Sequence, residues 1–114
     1  MKEKQTLTVD ASVTKYTDPY PLLDRSVVEI QVVGNATDTR AGAVTLWASN
    51  NKVNWSQLEW LNAGAVEDAL SVIASTLFEE QIGLAGIGAV WLRGKYVPSS
   101  GTGELDFIFS AKRG

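Results

Sequence analysis

The chain of 114 residues contains no cysteine and no histidine. Without cysteine, neither a disulfide nor a thiolate site can form. Without histidine, the commonest general base and the commonest metal ligand are both missing. A serine triad of the usual kind is therefore excluded. No cofactor and no metal are expected. Long apolar runs are also missing, so no membrane span is expected. Basic tracts longer than a residue or two are missing as well, and the formal charge is −3 with both signs mixed along the chain. Nucleic-acid binding is accordingly not expected. The start, MKEKQTLT, carries charges with no apolar segment behind them, which does not read as a signal peptide.

What is present is alternation. Length and composition suit a single domain over residues 1–114. Thr6–Thr14 alternates Leu7, Val9, Ala11 and Val13 with polar residues, as a half-buried strand does. Lys15–Leu23 contains Asp18-Pro19-Tyr20-Pro21 and reads as an irregular loop, because proline cannot donate to a ladder. Ser26–Val33 predicts a strand with Val28, Ile30 and Val32 inward and Glu29 and Gln31 outward. Gly34–Gly42 reads as a polar loop. Ala43–Ser49 and Val53–Leu61 predict a hairpin around a tight Asn50-Asn51-Lys52 turn, since asparagine tolerates the left-handed conformation.

Ala65–Leu77 supports two readings. Val66, Ala69, Leu70, Ile73 and Leu77 fall at helical spacing, whereas Leu70, Val72 and Ala74 share one face of a strand from Ala69 to Glu79. The strand fits the neighbouring elements and the β-branched content. Ile82–Gly88, with three glycines, reads as a loop. In the last quarter Val90, Leu92 and Tyr96 share one face, and Leu105, Phe107 and Phe109 share another. With Pro98–Gly103 as the bend, the two runs predict a hairpin. That register sets Tyr96 against Leu105, Leu92 against Phe109 and Lys95 against Asp106, the last pair contributing roughly 0.2–1 kcal/mol. The fold class is all-β and antiparallel, with about seven or eight strands in a two-sheet β-sandwich. A jelly roll is the expected topology and an immunoglobulin-like order its competitor.

Four tryptophans are the candidate functional side chains. Trp60 shares a face with Leu58 and reads as core, and Trp55 is expected over the end of its hairpin. Trp47 alternates with Thr45 and Ser49, opposite Leu46. Trp91 alternates with Arg93 and Lys95, opposite Leu92. Period-2 logic turns Trp47, Trp91, Arg93 and Lys95 away from the core, where aromatic and arginine side chains mark contact surfaces. The competing reading is that a loop or terminal arm covers them. The pairs Glu67-Asp68 and Glu79-Glu80 point to opposite faces of a strand and do not make a glycosidase dyad. Asp18 and Asp24 lack the spacing of a calcium loop. Gly83, Gly86 and Gly88 lack the lysine and helix of a phosphate cradle.

Trp47-Ala48-Ser49-Asn50-Asn51, followed by Asn54-Trp55, resembles small virion proteins of bacterial viruses. So does Val90-Trp91-Leu92-Arg93 with Tyr96, Ser100-Gly101-Thr102-Gly103 and Leu105. The resemblance implies a non-enzymatic β-sandwich component of a phage particle, in the capsid, its decoration, a spike or the tail. It implies binding to other virion proteins, homo-oligomerisation, and assembly in the bacterial host cytoplasm. The alternative is a carbohydrate-binding module that stacks sugars on Trp47 and Trp91.

Overall fold

The structure, a computed structural model, describes residues 2–23, 25–35, 38–62, 64–72, 78–85 and 88–113. The strands are β1 (Lys2–Val9), β2 (Lys15–Tyr16), β3 (Tyr20–Pro21), β4 (Val27–Gly34), β5 (Ala41–Ser49), β6 (Ser56–Gln57), β7 (Trp60–Asn62), β8 (Ala65–Glu67), β9 (Leu70–Val72), β10 (Phe78–Leu84), β11 (Trp91–Ser100) and β12 (Gly103–Lys112). The fold is all-β, and every strand pair is antiparallel. One sheet has four strands in the order β1-β12-β4-β10. A second has six, in the order β2-β11-β5-β6, with β3 also beside β11 and β9 beside β5. β7 and β8 form a separate hairpin.

Period-2 patterning sets the buried faces. Val28, Ile30 and Val32 of β4 are buried between partly or fully exposed neighbours, as are Leu105, Phe107 and Phe109 of β12. Val44, Leu46, Leu92 and Tyr96 do the same in the six-stranded sheet. Both sets belong to one apolar cluster. Burying each such side chain contributes about 1.5–3 kcal/mol. Gly94, in the middle of β11, lets the layers close: a Cβ there would lie 2.7 Å from the Phe107 ring of the other sheet. Tyr20 stacks on Phe109 with centroids 4.9 Å apart.

A charged group is buried beside the core. Arg40 is fully buried, and among the described residues none of its three guanidinium nitrogens has a hydrogen-bond partner. It lies against Gly34, where a Cβ would overlap the guanidinium. The Tyr96 hydroxyl is likewise buried without a hydrogen-bond partner among the described residues, and burial raises that phenol's pKa above its usual value.

Several sequence expectations are corrected. The C-terminal runs do not form a hairpin. β11 pairs with β5, β2 and β3, and β12 pairs with β1 and β4, so the bend at Gly101-Thr102 carries the chain between sheets. Its backbone is held by residues 38–39 instead. Thr39 N–H donates to the Thr102 carbonyl, Thr102 N–H to Thr39 Oγ1, and Glu104 N–H to Asp38 Oδ2. Gly101, at φ 76°, packs against the Thr39 carbonyl, a position only glycine fills. Asp106 therefore meets Lys4 rather than Lys95.

The first strand ends at Val9, not Thr14. Lys15–Leu23 is an interrupted strand along β11 rather than a loop. At the interruption Thr17 N–H bonds the Gly94 carbonyl, and Thr17 Oγ1 accepts from Gly94 N–H. Ile82–Leu84 continues β10, with Ile82 and Leu84 buried and Gly83 between them. Within Ala65–Leu77, Ala65–Glu67 and Leu70–Val72 are strands, and residues 73–77 lie outside the described residues.

Candidate functional site

The outward face of the six-stranded sheet gathers the residues singled out from the sequence. β11 sends Leu92, Gly94 and Tyr96 into the core, so Trp91, Arg93 and Lys95 alternate to the other side and are half-buried there. Antiparallel register puts Trp47 of β5 directly opposite Arg93, and Thr45 opposite Lys95. On the other flank β2 brings Tyr16 opposite Lys95. The indole of Trp47 donates to Thr45 Oγ1 at 2.9 Å, which fixes the ring along the strand.

The β5–β6 turn completes the face. It runs over Asn50–Trp55, longer than the expected three residues, and Lys52, not an asparagine, holds its left-handed position at φ 62°. Side chains replace the missing ladder bonds. Ser49 Oγ accepts from the N–H groups of Asn51 and Lys52, and Asn51 Oδ1 accepts from those of Val53 and Asn54. The Trp55 indole donates to the Lys52 carbonyl at 3.1 Å. The Ser-Asn-Asn-Lys-Val-Asn-Trp run is thus a rigid bracket. It holds Lys52 over the Trp91 ring at 3.9 Å, and Trp55 beside Arg93.

Cations and rings interleave across the face. The Arg93 guanidinium lies 4.4 Å from the Tyr16 centroid and 4.2 Å from that of Trp55. Lys95 lies 5.8 Å from Tyr16 and 5.4 Å from Trp47. Each such contact contributes about 0.5–1 kcal/mol in a partly exposed setting. Among the described residues Lys52, Arg93 and Lys95 make no ion pair, and the pair that does form, Lys4–Asp106 at 3.6 Å, is on the other sheet. Arg93 Nε is buried without a hydrogen-bond partner among the described residues.

All four predicted site residues therefore share one surface. Trp60 is core, as its pattern indicated. Trp55, expected over the end of its hairpin, joins the face, as do Tyr16 and Lys52, which were not singled out. A two-residue strand has no period to read, and the bracket's hydrogen bonds act over two or three residues without any alternation.

Elsewhere the structure offers shape with little chemistry. A cleft of about 540 Å³ beside Leu58, Trp60, Leu61, Leu84 and Ala85 has Glu59 as its titratable group. Glu104, Asp106 and Asp38 line another groove, but Asp106 is taken by Lys4 and Thr6 and Asp38 by the Glu104 amide. Asp18 exchanges backbone hydrogen bonds with the Gln5 side chain, and Asp24 lies outside the described residues. Among the described residues no three acidic side chains cluster in a way that could hold a metal ion, and no helix is long and apolar enough to cross a membrane.

No family model and no curated protein matches the sequence. The fold is similar to that in the crystal structure of the SPBc2 prophage-derived protein YomS. The TM-score is 0.63 and the identity 12%, over 96% of each chain.

Proposed function

We propose that this chain is a non-enzymatic structural component of a bacterial-virus particle, binding neighbouring capsid or tail subunits through the outward face of its six-stranded sheet. The supporting observation is the likeness over nearly the whole chain to a prophage-derived protein. The particle, assembled in the host cytoplasm, is where such a chain would reside. The strand order supports a jelly-roll sandwich. The chain crosses between the two sheets several times from β1 to β12, and the first and last strands are neighbours in the four-stranded sheet. The aromatic–cationic face supplies a binding surface of the composition seen at interfaces.

A sugar-binding role fits less well. Stacking a sugar on Trp47 or Trp91 requires an open ring face, and Lys95 and Lys52 each lie over one. Mass spectrometry on particles purified from a host that carries this gene tests the proposal. The expected result is the chain present in many copies per particle. Its absence from intact particles would remove the virion reading.

A further inference from the structure

The strands of the six-stranded sheet, β2, β3, β5, β6, β9 and β11, contain no aspartate and no glutamate. The outward side of β11 is instead a row of positive charge. Positions 91, 93 and 95 follow one another on that side, about 6.5–7 Å apart. Arg93 and Lys95 fill two of them, and Lys52 is held over the Trp91 ring at the third. Acids on the flanking loops do not reach this row. Among the described residues Asp18, Asp38, Glu59 and Asp68 make no ion pair with it. Asp38 accepts from the Glu104 amide, and Asp68 meets Gln57 of β6 through its backbone carbonyl.

Tyr16, Trp47, Trp55 and Trp91 each already carry a cation. The face therefore offers positive charge at fixed positions rather than bare stacking platforms for bases or sugars. Its spacing is that of an extended polypeptide, whose side chains return to one side at every second residue. Arg93, stacked between Tyr16 and Trp55, presents a guanidinium pre-oriented for a carboxylate.

We propose that this row receives an extended acidic segment of a different protein, with aspartate or glutamate at alternate positions. The inference rests on the reading of the face as an interface and names the chemistry of the partner. A second copy fits poorly. Glu104 and Asp106 are the one pair of acids two residues apart in this sequence. Lys4 already meets Asp106, and the register turns Lys2 and Lys112 to the same outward side.

Tryptophan fluorescence, titrated in low salt, reads binding because Trp47, Trp55 and Trp91 border the cations. Three synthetic peptides of equal length are the probes. One alternates glutamate with threonine, one sorts the same residues into two blocks, and one has glutamine in place of glutamate. The alternating peptide should bind saturably and more weakly as salt is raised. The block peptide should bind about tenfold more weakly, and the glutamine peptide not at all. Arg93→Gln/Lys95→Gln should abolish binding with an unchanged β-sheet circular dichroism spectrum. Lys52→Gln, on the exposed turn, should weaken binding about threefold and keeps the test decisive if the double variant unfolds. Equal affinity for the block peptide would overturn the proposal, as would no binding of the alternating one. So would an oligothymidylate that binds this face more tightly, or copies of the chain that assemble through Arg93 and Lys95. Those results leave the virion reading standing with another partner, and particles lacking the chain leave the peptide result standing.

Discussion

The two sheets share one core and turn different chemistry outward. On the four-stranded sheet the acids are tethered by neighbours: Glu79 by Gln31, Glu29 by Gln81, and Asp106 by Thr6 and Lys4. On the six-stranded sheet the charged groups are cations, and they rest on rings without any ion pair among the described residues. Both faces arise from the same period-2 pleat. The difference lies in which side chains the outward positions carry. Tethering fixes a carboxylate's position within its own sheet, whereas stacking an arginine between rings orients it with no acid beside it among the described residues.

The sharpest way to break this comparison is to remove what both faces stand on. Phe107→Ala deletes the ring that meets Gly94 across the layers. The expected loss is about 3–5 kcal/mol in urea unfolding, with both outer faces lost together. A loss typical of a surface substitution would mean that the sheets are not joined through this contact.

A second change separates core from faces in the opposite direction. Arg40→Met replaces a buried guanidinium that has no hydrogen-bond partner among the described residues by an unbranched apolar side chain. Stability should rise by about 1–4 kcal/mol, with assembly unchanged. A clear loss of stability would contradict the absence of a partner for Arg40.

Much of this was legible in the alternation. Val28, Ile30 and Val32, Leu92 and Tyr96, and Leu105, Phe107 and Phe109 all lie on the faces their spacing assigned. Trp47, Trp91, Arg93 and Lys95 share the outward face for the same reason. Strand partners were not legible. Alternation states which side of a strand is greasy and is silent about which strand lies alongside. β11 and β12 are adjacent in sequence and each has a complete buried face, so a hairpin and a crossover between layers fit them equally. The deciding information sits in Asp38 and Thr39, which hold the bend from about sixty residues away. Gly83 misled for a related reason. A glycine on an outward position leaves the inward period of Ile82 and Leu84 intact.

The pH response sharpens the comparison further, because the buried phenols belong to the core. With neither histidine nor cysteine, no side chain has an ordinary pKa between pH 5 and 8. Burial raises Tyr20 and Tyr96 above the usual phenol value of 10.0. A raised folded-state value means that their contribution is complete below pH 10 and is lost as pH climbs through that folded value. Urea midpoints should be level between about pH 6 and 9 and fall above about pH 10. A midpoint that falls near neutrality would contradict this.

The most direct test sets one tryptophan against another. Trp60 is buried in the core cluster, and Trp91 lies half-buried under Lys52 on the outward face. Urea unfolding of Trp60→Ala and Trp91→Ala should be measured side by side. The expected losses are about 3–5 kcal/mol for Trp60→Ala and about 1 kcal/mol or less for Trp91→Ala. Equal losses would place the Trp91 indole among the side chains that hold the molecule together and would contradict a face kept free for binding.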